Sequence, residues 1–313
     1  MEKKTYYGGQ AVMEGVMMRG KKSMVTAVRR PDGQIVTRVQ ALPSLYTGWS
    51  RRAPFLRGII VLIESLVLGM QSLTYSANVS LEEEEEELTG KSMWLVTAVG
   101  IALGVAVFFL LPLYITRLFH IQSSIWFNLV DGLIRLVIFI IYLKAVSSIK
   151  TIKRVFAYHG AEHKTVNAYE SDVPLTVESV RQFSTAHVRC GTSFLFIVMV
   201  IAIIAFALVG KPAWWLMVFS RIVLIPVIAS VSYEVTYFAG RHAKNPVVKI
   251  LLAPGLWLQS FTTRQPDDSM LEVAITALKQ VIAIDEGSNN FNISPIDAVT
   301  SANPNGQSCG SPD

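Results

Sequence analysis

The residues best suited to chemistry are His159-Gly160-Ala161-Glu162-His163. The spacing H-x-x-E-H sets two imidazoles four positions apart, on one face of a helix. Both rings can then reach one ion, and the glutamate beside them can take a proton from a water held there; this is the inverted zinc-protease arrangement. Ile152 and Phe156 continue the same face, so the histidines extend an apolar helical stripe. A pair of core histidines, each satisfied by a hydrogen bond, is the plainer account of that placement.

A second group is His187-Val188-Arg189-Cys190-Gly191, with a histidine and a cysteine three apart. Imidazole and thiolate both suit zinc. If His159, His163, His187 and Cys190 all bind one ion, the site is closed and structural. If only three bind, a position stays open for water and Glu162 becomes a general base; if none binds, the histidines relay protons or anchor the fold. Arg189 is a candidate anion or oxyanion partner. Glu234, in Ser232-Tyr233-Glu234, is the leading further ligand, because a carboxylate at the end of a membrane span must face water, a basic partner or a metal. Glu14, Glu170, Glu178, Asp267, Asp268 and Glu272 are weaker candidates, since single acids are usually solvated. A different chemistry attaches to Asp131 and Arg135, four apart in an apolar segment, and to Arg221 in another. They either neutralise one another and lock helix packing or mark a transport pathway or lipid-headgroup site.

The chain that must position these groups has 313 residues, 51% hydrophobic and 16% charged, with a mean hydropathy of +0.43. Soluble domains carry about 25% charged residues. Residues 92–116 and 190–210 hold no Asp, Glu, Lys or Arg. Each is long enough for a bilayer core of about 30 Å, which takes roughly 20 apolar residues. Four spans are expected, near 93–115, 125–146, 191–210 and 212–233. Lys and Arg number eleven in the first 57 residues, seven in 144–189 and five in 235–313, against Arg117 and Lys211 alone in the two short intervening turns. By the positive-inside pattern both termini and the central loop are cytoplasmic. A fifth span at 58–80 would put one basic segment outside, so that stretch is read as an interfacial or re-entrant helix. The first six residues are polar and lack an apolar core region, so no signal peptide is expected. Cys309 sits in a polar tail, so no disulfide framework is expected. The net charge of +5 comes without an aromatic-interleaved basic patch, and nucleic acid is not an expected partner.

The expected fold is mostly α, a polytopic helical membrane protein with about four transmembrane helices and a small β-containing N-terminal module. The divisions are an N-terminal cytoplasmic β-rich module (1–53), the interfacial or re-entrant helix (54–80) and an acidic linker (81–92). A first membrane pair (93–146), the cytoplasmic loop with the His, Glu and Cys motifs (147–190) and a second pair (191–233) follow. A cytoplasmic C-terminal segment (234–284) and a disordered tail (285–313) complete the chain. In the module, 24–30 and 34–42 are β-prone around a Pro31-Asp32-Gly33 turn, and the glycine-rich stretches 8–10 and 15–20 read as turns. Residues 247–261 are apolar but broken by Pro254-Gly255. A helix follows, with Asp267 and Asp268 in its first turn and Met270, Leu271, Ala274, Ile275 and Leu278 on one face.

Gly8-Gly9-Gln10-Ala11-Val12-Met13-Glu14-Gly15-Val16-Met17-Met18-Arg19-Gly20 resembles the opening signature of the YqhQ-like family. Tyr158-His159-Gly160-Ala161-Glu162-His163-Lys164, Arg189-Cys190-Gly191-Thr192-Ser193-Phe194 and Thr262-Thr263-Arg264-Gln265-Pro266-Asp267-Asp268 match it too. The resemblance covers roughly 6–280, with Val188 where proline is usual and Gln265 where glutamate is usual. It implies a multi-pass protein of the bacterial inner membrane, in a family of unknown function labelled metal-dependent enzymes. The expectation is therefore metal-assisted hydrolysis at the cytoplasmic membrane face, of a peptide or lipid-linked substrate, with membrane lipids as partners and a divalent metal, zinc first. A non-enzymatic scaffold or assembly factor with structural zinc, and a small transporter or channel using Asp131, Arg135 and Arg221, are the alternatives.

Overall fold

The computed structural model describes residues 6–49, 53–80, 90–242 and 245–287. The acidic run 82–87 and the tail beyond 287 lie outside the described residues. The N-terminal module is a four-stranded antiparallel meander: β1 (Gly8–Val12), β2 (Gly15–Arg19), β3 (Ser23–Arg29) and β4 (Ile35–Ala41), in that order. The 31–33 turn joins β3 to β4, with Gly33 at φ 88°. The glycine-rich stretches expected as turns are instead β1 and β2, closed by Met13 and Glu14, with Glu14 at φ 50°. β1, only partly buried, forms as the hairpin partner of β2; in β2 Gly15, Val16, Met17 and Met18 are all buried, and burial outweighs poor strand propensity.

The alternation along the strands shows how. Val16, Met18, Val25, Ala27 and Val39 face a core shared with the last helix, while Met17, Met24 and Leu42 face Tyr46 and Leu68 on the other side. A short α1 (Ser44–Thr47) leads to α2 (Leu56–Ser80), which supplies that second cover. Within α2 the pattern is reversed from a soluble helix. Glu64, Ser72 and Ser76 are buried, and Leu62, Ile63 and Leu66 are exposed. Glu64 accepts from Arg19 at 2.8 Å, Ser72 meets Thr26 at 3.1 Å, and Ser76 accepts from the Met13 N–H at 3.2 Å. The helix is unbroken over 25 residues, so it makes no re-entrant turn.

The bundle begins with α3 (Gly90–Val105), which runs through a π-helical turn (Ala106–Leu110) into α4 (Leu111–Leu118). Then come α5 (Ser124–Val146), α6 (Lys150–Glu170) and a short α7 (Val177–Arg181). They are followed by α8 (Gly191–Val209), α9 (Trp214–Val223), α10 (Ile225–Arg241), α11 (Pro246–Thr262) and α12 (Asp268–Asp285). Among the described residues three helices are long and apolar enough to cross a membrane: α2, the α3–α4 run Trp94–Leu118, and α8. The α9–α10 pair, bent by 46°, makes a fourth if it is one span. This set differs from the sequence expectation at two helices, since it includes α2 and leaves out the 23-residue α5.

The 247–261 stretch is not broken as expected. α11 runs through Pro254, and Gly255 lies so close to Ser193 of α8 that an added Cβ would sit 3.1 Å from it. α12 forms as the sequence indicates. Asp267 caps it by accepting from the Met270 N–H at 2.9 Å, and Met270, Leu271, Ala274, Ile275 and Leu278 are all buried. Each large apolar side chain so buried contributes about 1.5–3 kcal/mol. α12 packs on β2 and β3 and on α6, while α6 packs on β1. The N-terminal sheet, the central helix and the C-terminal helix are thus one body.

Candidate functional site

α6 carries His159, Glu162 and His163, and Gly160 lets it sit close to the chain leaving α11. A Cβ there would collide with the Arg264 carbonyl, and the Arg264 N–H donates to the Phe156 carbonyl at 2.9 Å. This approach sets the first imidazole. His159 Nδ1 donates to the Thr262 carbonyl at 2.8 Å, and His163 Nδ1 donates to the Thr185 carbonyl at 2.6 Å. A carbonyl only accepts, so in each neutral ring Nδ1 carries the proton and Nε2 keeps its lone pair.

The third donor comes from α8. Cys190 is its N-cap, with Sγ accepting from the Thr192 N–H at 3.4 Å and lying 3.4 Å from His159 Nε2. Donor atoms of His159, His163 and Cys190 all lie within 4.8 Å of one another. Tetrahedral zinc, with Zn–N about 2.0–2.1 Å and Zn–S about 2.3 Å, needs N and S about 3.5 Å apart. The donor types suit such an ion, and the Cys190–His159 pair at 3.4 Å matches its span; the set as a whole, within 4.8 Å, is wider than a bound ion requires.

Glu162 is 4% exposed and is held from the sheet side, with Oε1 accepting from the Gly9 N–H at 3.1 Å. Its Oε2 lies 3.5 Å from His163 Nε2. Among the described residues β1 is an edge strand, and its Gly9 N–H turns away from β2 to α6. A Cβ at Gly9 would meet the Met17 carbonyl and come within 3.1 Å of Glu162. These groups line a cavity of about 90 Å³ together with Tyr7, Gly8, His187, Arg189 and Gly191.

His187 lines the cavity with its ring 5.6 Å from that of His163, but it is not one of the three converging donors. Its backbone is fixed by Gln259, which accepts from the His187 N–H at 2.9 Å and donates to its carbonyl at 2.8 Å. Burial holds its pKa below the ordinary imidazole value, opposed by the charge of Glu162, so the neutral ring is favoured. Arg189 pairs with Glu170 and stacks over Tyr6 at 4.5 Å, and burial lowers its pKa too. Lys164 secures the 181–187 connection by donating to the Arg181 and Phe183 carbonyls, each at 2.7 Å.

Glu234 does not join this cluster. Its carboxylate is forked by Arg57 and accepts from the Phe55 N–H at 3.0 Å, which occupies it as an ion-pair partner. The other acids are placed elsewhere as well. Glu14 accepts from Arg154 and, at 3.2 Å, from Tyr158; Asp268 pairs with Arg181, and Glu272 with Arg29. Asp131 accepts from Arg135 at 2.7 Å within the helical bundle, and Arg221 stands 3.7 Å away. Gly9, Gln259 and the Thr185 and Thr262 carbonyls were not singled out from sequence. A lone Gln in the apolar 247–261 stretch is the one local signal among them; backbone carbonyls leave none.

Residues 53–284 match the family described as "Protein of unknown function (DUF1385)". The chain is also 36% identical over 297 residues to "Uncharacterized protein YqhQ" of Bacillus subtilis (strain 168), across 89% of this chain and 93% of that protein. No solved structure matches. The chain belongs to the DUF1385 family.

Proposed function

We propose that this family member is a metal-dependent membrane enzyme, a hydrolase whose site lies at the cytoplasmic membrane face. The observation that carries the reading is the fixed tautomer of two histidines beside a cysteine. Both Nδ1 atoms are tied to backbone carbonyls, His159 Nε2 lies 3.4 Å from Cys190 Sγ, and a ring nitrogen of His163 falls in the same group. Histidine ligands of metals are usually oriented by such a bond from the other nitrogen. His159, His163 and Cys190 would hold the ion, zinc first. Three protein ligands leave one position open, as catalytic sites do. When bound, the ion would lower the pKa of a water and polarise a substrate oxygen.

Glu162 supplies the base. Gly9 occupies one carboxylate oxygen, which orients the other toward the histidines, where it can accept a proton from water. His187, neutral and buried, borders the site.

Membrane placement rests on parity. The sheet, α6 and α12 pack as one body and so share one side of any membrane. The chain between 41 and 150 must then cross an even number of times, and so must the chain between 170 and 268. The α3–α4 run with α5, and α8 with α9–α10, meet that condition. α2 is then an in-plane helix, its polar face on the sheet and Leu62, Ile63 and Leu66 toward lipid. An open sheet packed along a helix is incompatible with a bilayer core. The basic segments fall on the side of this body, as the positive-inside pattern requires.

Metal content of detergent-purified protein tests the reading, wild type beside His159→Ala/His163→Ala. About one transition metal per chain, lost in the double variant, is expected. No metal in either, after reloading, removes the metalloenzyme. Glu162→Gln is then expected to keep the metal and lose function in a deletion-complementation assay; a fully functional Glu162→Gln leaves only a structural ion.

A further inference from the structure

The cavity opens where a candidate span begins. Cys190 caps α8, and the next residue, Gly191, starts an apolar helix of 19 residues. Exposed Leu195 lies one turn further along α8. α10 ends beside the same mouth, since a Cβ on Gly240 would touch Arg189 at 3.3 Å, and Tyr237 and Phe238 on its last turn are exposed. On the proposed placement, a molecule entering here meets lipid on one side and the cytoplasm on the other.

The mouth itself is small and presents one guanidinium, that of Arg189, whose charge is shared with Glu170. Arg189 is the arginine among the lining residues, and Glu162, the lining acid, is bound from behind by Gly9. Gly8 and Gly191 line the mouth, and nothing lies within 4 Å of where their Cβ atoms would be. Backbone there can be approached closely, and Gly191 is the first residue of α8, where an N–H has no intrahelical acceptor, while the next N–H, of Thr192, is taken by Cys190 Sγ. A guanidinium beside such an N–H matches the oxygens of a phosphate. A peptide fits poorly. The outer edge of β1 cannot extend the sheet at this site, because the Gly9 N–H is taken by Glu162 and the nearby Met13 N–H by Ser76.

We infer that the substrate is a phosphate-bearing membrane amphiphile, its phosphate held by Arg189 at the mouth and its apolar chain lying along α8 and α10. The inference rests on the metalloenzyme reading above and selects the lipid-linked class within it.

Native mass spectrometry of the full chain in detergent can test this with three probes: dioleoylphosphatidic acid, dioleoylglycerol and inorganic phosphate. Metal content is measured on the same samples. Phosphatidic acid is expected to bind. Dioleoylglycerol and inorganic phosphate are expected to bind at least tenfold more weakly. Arg189→Gln/Glu170→Gln removes the ion pair without stranding the acid and is expected to weaken phosphatidic acid binding at least tenfold with metal unchanged. Arg189→Lys is expected to retain part of that binding, and Lys150→Gln, an exposed cation outside the cavity, all of it. Equal binding of dioleoylglycerol, or an Arg189 double variant that binds like wild type, overturns the phosphate assignment while metal retention leaves the enzyme reading standing. Inorganic phosphate binding as tightly as the lipid overturns the amphiphile. A chain without metal overturns both, whatever the lipids do.

Discussion

Two polar clusters in this molecule begin alike and end differently. On α6, His159 and His163 lie four apart and are joined by Cys190 from α8; on α5, Asp131 and Arg135 lie four apart and are joined by Arg221 from α9. The first cluster is tied from outside, with both Nδ1 atoms held by backbone carbonyls, and its side chains line a cavity. The second is turned on itself. One carboxylate serves two guanidiniums, and both guanidiniums stack on Phe206, at 5.0 and 4.1 Å. Asn128 takes one further Arg221 N–H at 3.2 Å. The same helical spacing therefore appears once beside a cavity and once in a buried ion pair, and the partners brought in from other segments make the difference.

The largest effect expected of a single change is in the second cluster. Asp131→Asn leaves two buried cations without a counter-charge and should cost about 3–5 kcal/mol, read by thermal unfolding in detergent. Replacing all three charges at once, by Asp131→Leu with Arg135→Met and Arg221→Met, should restore most of the loss. If Asp131→Asn alone proves silent in stability but abolishes function, the lock becomes a transport element and the contrast collapses.

Next is Cys190→Ser. It should lower metal affinity by more than about a hundredfold, beyond what loss of an outer-shell partner costs, as read by chelator competition, and leave the unfolding of the metal-free protein nearly unchanged. A stability loss matching that of Asp131→Asn would make Cys190 a packing residue instead.

A smaller effect should follow where the sheet is tied to α6. Glu14→Gln weakens the fork with Arg154 and should cost about 1 kcal/mol, the low range for a charged bond because Arg154 is half exposed. Metal content should stay at the wild-type level. Smallest is Asp267→Ala, which removes the α12 cap for about 0.5–1 kcal/mol, measured by denaturant unfolding. Loss of bound metal in Asp267→Ala would show that the first cluster depends on global stability as the second does.

Much of the frame was legible in one dimension. The apolar runs became α8 and the α3–α4 segment because hydropathy acts over a whole helix length. The β3–β4 hairpin and α12 followed from turn chemistry, a cap and a 3.6-residue stripe, all local signals. The His159–His163 face was legible for the same reason. The errors fall where distant residues decide. β1 and β2 looked like turns because their glycines are poor strand formers; burial of β2 between two covers overrode this, and β1 follows by pairing with it. α11 was expected to break at Pro254, yet packing against α8 holds it together. Glu234 was ranked with the ligands because its position at a span end is local, whereas Arg57, 177 residues away, is not.

By itself the sequence determined the helical and apolar character of the chain, the hairpin, and the residue types able to hold a metal, since each depends on side chains within a turn or two of one another. Tertiary structure alone decided that His159, His163 and Cys190 meet while Glu234 does not, which histidine nitrogens carry protons, and that the Gly9 N–H holds Glu162. The reason is physical: convergence and tautomer are set by backbone groups from Gly9, Thr185 and Thr262, brought in from three distant segments, and a backbone N–H or carbonyl is the same at every residue but proline.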